Sequence, residues 1–255
     1  MKRVFILLTA LFLLAVCASC ADSPDGMNGA DLTGADTTDT NTEGGESMTE
    51  KKPAAMLLYM GHASIRITTP EGKVIYIDPY AGSGYAPEAD LILVTHSHFD
   101  HTALDKVTQA PDCRTITWKE ALAGGKHQTF HTPFAVVEAV EAGNNRNHSV
   151  KDCVGYVLTL SDGISVYVSG DTSKTEQMPT LAQKHIDYAF FCCDGIYNMD
   201  LSEAAECAAL VGAKHNIPYH VIAANGSVFF DRARAEQFTA PNRLILEPGE
   251  EIALD

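Results

Sequence analysis

The stretch "LILVTHSHFDHTALDK", residues 91–106, decides how this chain is read. An uninterrupted aliphatic run, Leu91 to Val94, leads straight into His96, His98, Asp100 and His101. An aliphatic run without polar alternation is what a strand covered on both faces requires. Imidazole and carboxylate are the side chains that zinc, iron and manganese accept as ligands. His96, His98 and Asp100 are spaced by two, so an extended chain would point them to one side. His101 breaks that alternation, so the chain must turn there, and "TALDKVTQA" behind it predicts a helix. A turn through such a cluster can serve two neighbouring metal positions.

One cluster does not complete two sites, so further ligands are expected from other strand ends. Three candidates stand there. His148 lies in "NRNHSVKDCVGY", before a predicted strand, and Asp171 in "VYVSGDTS", after one. His220 lies in "IPYHVIA", near the end of another.

Outward from these motifs, "AAMLLYMGHASIRITTPEGKVIYIDPY" reads as strands around the "PEGK" turn. "AVVEAVEAG", "VGYVLTLSDGISVYVSG" and "IDYAFFCCD" are further strands, with "SDG" as a hairpin turn. "MDLSEAAECAALVGAK" predicts a helix capped by Asp200, with Glu203 completing a capping box. "NRLILEPGEEIAL" predicts a closing pair of strands. Strands dominate first and alternate with helices later. That order predicts an α/β fold of two packed mixed sheets with helices outside.

The N-terminus has another character. Met1-Lys2-Arg3 precedes "VFILLTALFLLAV", long enough for a signal segment and short for a bilayer span. It ends in "CASC", which resembles a bacterial lipoprotein signal cut before a lipid-bearing Cys20. An ordinary signal peptide cut nearby is the alternative. Residues 21–50 carry eight acidic and no basic residues, with almost no large apolar ones. Such a segment buries too little to offset its ordering entropy. The expected organisation is a lipoprotein signal peptide at 1–20, a disordered acidic tether at 21–50 and one domain at 51–255. The protein is then exported to the cell envelope and held at the membrane only through a lipid on Cys20.

The domain holds 16 basic against 25 acidic residues, which argues against a nucleic-acid partner. Cys113, Cys153, Cys192, Cys193 and Cys207 are odd in number and lack Cys-x-x-Cys spacing. The last three read as small buried residues.

"HSHFDH" resembles the His-x-His-x-Asp-His signature of the metallo-β-lactamase fold superfamily, and the other motifs follow in the family's order. Asp78 in "YIDPY" matches the aspartate that supports the metal loop. "GHASI" and "DGIYNMDLSEAAE" are similar to a subgroup of small single-domain hydrolases related to ascorbate-6-phosphate lactonase. The resemblance spans about residues 55 to 250. It implies a four-layer αββα sandwich and two divalent metal ions, zinc first, with manganese or iron also accepted. His96, His98 and His148 would hold one ion, and Asp100, His101 and His220 the other, with Asp171 between them. It further implies a hydroxide, made available at neutral pH by the ions, that attacks a small ester, lactone or phosphodiester. Asp100 would orient it and handle its proton. His62, Asp194 and Tyr197 would face the substrate pocket, although packing, capping and turn roles suit them as well. Asp171 stands where true β-lactamases of this fold carry cysteine, which disfavours antibiotic hydrolysis. Uncharged Ser97 and the lack of a flavodoxin domain disfavour the redox branch. The alternative is a non-catalytic metal-binding lipoprotein that has kept the ligands.

Overall fold

The computed structural model describes residues 53–222 and 229–255. The expected signal peptide, the tether and Cys20 lie outside the described residues.

Twelve strands form two six-stranded sheets. In chain order they are β1 (Ala55–Gly61), β2 (Ser64–Thr68), β3 (Val74–Ile77), β4 (Ala89–Leu93), β5 (Gln109–Ile116), β6 (Thr129–His131), β7 (Ala135–Glu141), β8 (Val154–Leu160), β9 (Ser165–Val168), β10 (Tyr188–Cys192), β11 (His215–Tyr219) and β12 (Glu251–Leu254). The first sheet has the order β12-β1-β2-β3-β4-β5, and the second β11-β10-β9-β8-β7-β6. Each is mixed: β3, β4 and β5 run parallel, as do β9, β10 and β11, while the other pairings are antiparallel. The expected two-sheet fold is therefore observed.

The aliphatic runs sort by the two-residue period of a strand. Leu57, Tyr59, Ile75, Ile77, Leu91 and Leu93 belong to the large core shared with Val137, Val154, Leu158, Val166 and Phe190 of the second sheet. Leu58, Met60, Val74, Tyr76, Ile92 and Val94 form a separate cluster on the opposite face of the first sheet. The first sheet is thus buried on both sides, which is why β4 reads as an unbroken apolar run. Each such side chain contributes roughly 1.5–3 kcal/mol by leaving water. The Tyr156 hydroxyl of β8 donates to the Val94 carbonyl at 2.9 Å, tying the second sheet to the start of the histidine loop.

The helical layers are thin. α1 (Trp118–Ala121) and α3 (Arg232–Ala235) are single turns, and α2 (Leu201–Val211) packs beside β10. Asp200 caps α2 as expected, accepting from the amides of Ser202 and Glu203 at 2.9 and 2.8 Å. The capping box stays half-made, because the Glu203 carboxylate accepts from the Lys174 amide instead.

Two expected elements also fail. "TALDKVTQA" is no helix: a 3₁₀ turn at Leu104–Lys106 gives way to β5. Residues 109–116 pair with β4 in parallel and take up the last two residues of the expected helix, with Ala110 biased to extended backbone by the Pro111 that follows it. Pro111, which lacks an amide donor, lies where the register with β4 shifts. The C-terminus supplies one strand and not two: β12 pairs with β1, while Arg243 makes only an isolated bridge to Asn216.

Candidate metal centre

Every proposed ligand sits on a loop that leaves or enters a strand on one edge of the sandwich. His96, His98, Asp100 and His101 follow β4, Asp171 follows β9 by three residues, and His220 follows β11 directly. His148 precedes β8. The histidine loop is not extended: Phe99–His101 forms a 3₁₀ turn. The turn, and not strand alternation, brings Asp100 and His101 round to a second position.

The side chains converge into groups whose ligand atoms lie within 4.8 Å of one another. His96, His98 and His148 form one group, and Asp100, His101 and His220, joined by His62, form another. Asp171 groups with His96 and His101 and so lies between them. Its carboxylate is 3.4 Å from His148 Nε2, 3.5 Å from His101 Nε2 and 3.6 Å from His220 Nε2. His96 Nε2, His101 Nε2, both ring nitrogens of His220 and Asp171 Oδ1 are buried without a hydrogen-bond partner. Bare buried nitrogens and a bare carboxylate oxygen facing one another are costly unless a cation joins them. The donor set, imidazole and carboxylate without thiolate, fits one or two borderline divalent ions.

The charges follow the same geometry. Burial pushes His96 down, with neighbouring imidazoles adding to the effect, to about 2. Burial also opposes the charged form of His101, but the flanking Asp171 and Asp78 carboxylates outweigh it and raise the ring to about 9. Burial lifts Asp171 and Asp100, yet the surrounding imidazoles prevail and hold both well below the carboxylate range. For Asp100 the hydrogen bond to His62 leads that effect.

Asp78 is the hub behind the loop. It is fully buried and held at a φ of 46°. Its Oδ1 accepts from the Thr95 amide at 2.8 Å, and its Oδ2 accepts from the Thr95 hydroxyl at 2.7 Å. The same Oδ2 lies 2.9 Å from His101 Nδ1. That contact keeps a proton on Nδ1, so Nε2, which faces Asp171, is the nitrogen left to give up its proton to a cation. Because the Thr95 hydroxyl donates to Asp78, it can only accept from His96 Nδ1, 3.0 Å away. His96 Nε2 is thereby left bare. One carboxylate sets the tautomer of one histidine in each group.

Other supports were not legible from spacing. Asn145 Oδ1 accepts from the His148 amide at 2.9 Å and lies 3.2 Å from its Nδ1, fixing a ring whose flanking "NNRNH" shows no obvious anchor. The Asn198 amide nitrogen donates to Asp171 Oδ2 at 2.8 Å and to Asp194 Oδ2 at 2.7 Å. Gly170 is held at a φ of 61°, and a Cβ there would lie 2.6 Å from the Val154 carbonyl oxygen. Only glycine lets the chain turn Asp171 inward at this point.

A cavity of about 500 Å³ opens above the cluster, lined by five of the proposed ligands together with Phe99, Asn147 and Tyr197. Of the three residues expected to face a pocket, Tyr197 lines it, while His62 and Asp194 lie behind it. His62 Nε2 is 3.0 Å from Asp100 Oδ2, and its ring stands 3.8 Å from that of His220. Asp194 is fully buried, accepts from the amides of Ile196 and Tyr197, and lies 3.5 Å from His220 Nδ1. The five domain cysteines are free thiols, and burial pushes Cys153 and Cys207 up to about 12.

A two-sheet α/β sandwich with a histidine–aspartate cluster at one sheet edge defines a class of metal-site protein. Residues 56–220 match the family of the β-lactamase superfamily domain. The chain is 31% identical over 214 residues to a UPF0173 metal-dependent hydrolase of Myxococcus xanthus, covering 69% of this chain and 76% of that protein. It is 28% identical over 219 residues to another from Methanoregula boonei, covering 77% and 96%. The crystal structure of a candidate metal-dependent hydrolase from Parabacteroides distasonis superposes with a TM-score of 0.60 at 28% identity, over 73% of this chain and 90% of that one. The chain belongs to the metallo-β-lactamase superfamily, in its metal-dependent hydrolase branch.

Proposed function

We propose that the protein hydrolyses a small ester, lactone or phosphodiester with two divalent metal ions, zinc first. The observation that carries this reading is the set of buried, unpartnered ligand atoms of His96, His101, His220 and Asp171, of which His220 and Asp171 line an open cavity. The first ion falls to His96, His98 and His148, the second to Asp100, His101 and His220, with Asp171 common to both. Ions held there would lower the pKa of a water and polarise the electrophilic oxygen.

The chain's own groups supply the rest. Asp78 and Thr95 keep Nε2 of His101 and of His96 available to a cation. Asp100 lines the cavity and is held ionised, with His62 fixing one of its oxygens. As the water oxygen bonds to the acyl or phosphoryl centre, Asp100 takes its proton. It returns that proton to the leaving alkoxide as the old bond breaks. The cavity admits a small molecule, and the domain's acidic balance disfavours nucleic acid.

The test uses the purified chain with two equivalents of Zn²⁺ against a panel of p-nitrophenyl esters, lactones and bis-p-nitrophenyl phosphate. Turnover that disappears in His98→Ala and Asp171→Ala supports the proposal. Full metal content with no turnover of any panel member favours the metal-binding alternative. We further propose export and lipid attachment at Cys20, supported by the N-terminal sequence. Cys20→Ser should abolish metabolic labelling with palmitate, and persistent labelling would refute the anchor.

A further inference from the structure

We infer that the substrate is a neutral ester or lactone whose non-reacting part is apolar or aromatic, not a phosphorylated or otherwise anionic small molecule. This rests on the hydrolase reading above and concerns what the same cavity selects. Among the described residues five large hydrophobic side chains are exposed: Phe99, Val150, Ile196, Tyr197 and Phe229. Exposed apolar groups scattered singly need no explanation, but a cluster of them marks a binding surface. Two of these five line the cavity, and two more are joined to them along the chain or through ring contacts. Phe99 and Tyr197 line it, and Ile196 precedes Tyr197 on the same loop. Phe229 stands edge-on to Tyr80 at 5.6 Å, and Tyr80 edge-on to Phe99 at 5.8 Å. These three rings form a continuous aromatic row that leads away from the cavity at Phe99. Phe99 is 76% exposed although its neighbours His98 and Asp100 point into the cluster, so its ring is available to a ligand.

Charge points the same way. Among the described residues, the cavity lining that is not proposed metal ligand consists of Phe99, Asn147 and Tyr197, all neutral, with no Lys or Arg. An anionic group on the non-reacting part, held away from the metal positions, would meet no cationic side chain on that lining, and Lys106 stands behind the Tyr80 ring. A site that selects phosphate or carboxylate normally presents Arg, Lys or a helix N-terminus. The one side-chain amide, Asn147 Nδ2, already donates to the Tyr197 carbonyl at 3.2 Å. Selection therefore falls to apolar contact with the rings.

The experiment uses the full chain with two equivalents of Zn²⁺ and has two readouts. The first is kcat/KM for p-nitrophenyl esters from acetyl to octanoyl, with a neutral lactone beside its phosphorylated counterpart. The second is calorimetric affinity for straight-chain hydroxamic acids of the same lengths, which hold the metals and need no turnover. Both should rise about two- to fourfold for each methylene the rings cover. Phe229→Ser and Tyr197→Ser, at unchanged metal content, should flatten both series. A flat series in the wild type, unchanged slopes in both variants, or a tenfold preference for the phosphorylated lactone would overturn the inference. Rising hydroxamate affinity without ester turnover would uphold apolar selection by the rings while failing the hydrolase reading. Ester turnover indifferent to chain length would do the reverse.

Discussion

Replacing Asp78 with asparagine should strip metal from both positions while leaving the fold in place. The substitution keeps shape and removes one acceptor. Asparagine offers a single carbonyl oxygen, best used on the Thr95 amide that now bonds Oδ1 at 2.8 Å. Its NH₂ then faces the Thr95 hydroxyl and His101 Nδ1, at the present distances of 2.7 and 2.9 Å. The hydroxyl can turn to accept, but it then donates to His96 Nδ1, and the His96 proton moves to Nε2. His101 must likewise accept through Nδ1 and carry its proton on Nε2. Both nitrogens that face Asp171 would then present hydrogen instead of a lone pair. Restoring either lone pair leaves one buried N–H unpartnered, which costs about 1–3 kcal/mol. At about 1.4 kcal/mol per decade, each ion should bind roughly 5- to 150-fold more weakly. Chelator competition on wild type and Asp78→Asn measures both affinities, and a thermal melt of the metal-free forms checks the fold. Wild-type affinity at both positions would refute the tautomer argument. Weakening of the second ion alone would refute its Thr95–His96 arm.

Three further outcomes follow from the geometry. His62→Gln removes the ring nitrogen 3.0 Å from Asp100 Oδ2 and should weaken the second ion by about 10–100-fold, read by the same competition. Gly170→Ala places a side chain at a φ of 61° and should lower stability by at least about 1–2 kcal/mol, measured by urea denaturation. Asp187 accepts from the Ser165 amide and hydroxyl and from Lys214 at 2.8, 3.0 and 2.6 Å. Burial lifts its carboxyl, but these donors outweigh burial and depress it. A depressed carboxyl stabilises the fold above its unfolded value near pH 3.9 and loses that contribution as pH falls through the folded value. Asp187→Asn should therefore be about 1–2 kcal/mol less stable at pH 7, with a deficit that shrinks below about pH 4. A deficit constant with pH would contradict the assignment.

Much of the fold was legible because β4, β8 and β10 are apolar runs that only a doubly covered strand explains, and "SDG" marks a hairpin without ambiguity. The short segments were not. β5 is polar and carries Pro111, with no strand alternation to announce it, and is a strand because β4 offers it a parallel edge. α1 and α3 are single turns, below the length at which periodicity speaks. At the site, the motif order placed His96, His98, Asp100, His101, His148, Asp171 and His220 where the structure brings them together. The residues that orient those ligands were harder. Thr95 and Asn145 act through a hydroxyl and an amide that any loop could carry. His62 and Asp194 were expected at a pocket wall and lie behind it, His62 turned at a φ of 52° onto Asp100 and Asp194 taken up by the amides of the turn that follows it. Spacing along a chain does not encode such turns.

The proposed hydrolysis needs both metal positions at once. Titrating Zn²⁺ into the metal-free chain while following the initial rate on the best panel ester tests it most directly. The rate should climb to a plateau at two equivalents per chain and vanish again on chelation. A plateau at one equivalent, or a rate indifferent to metal, would contradict it.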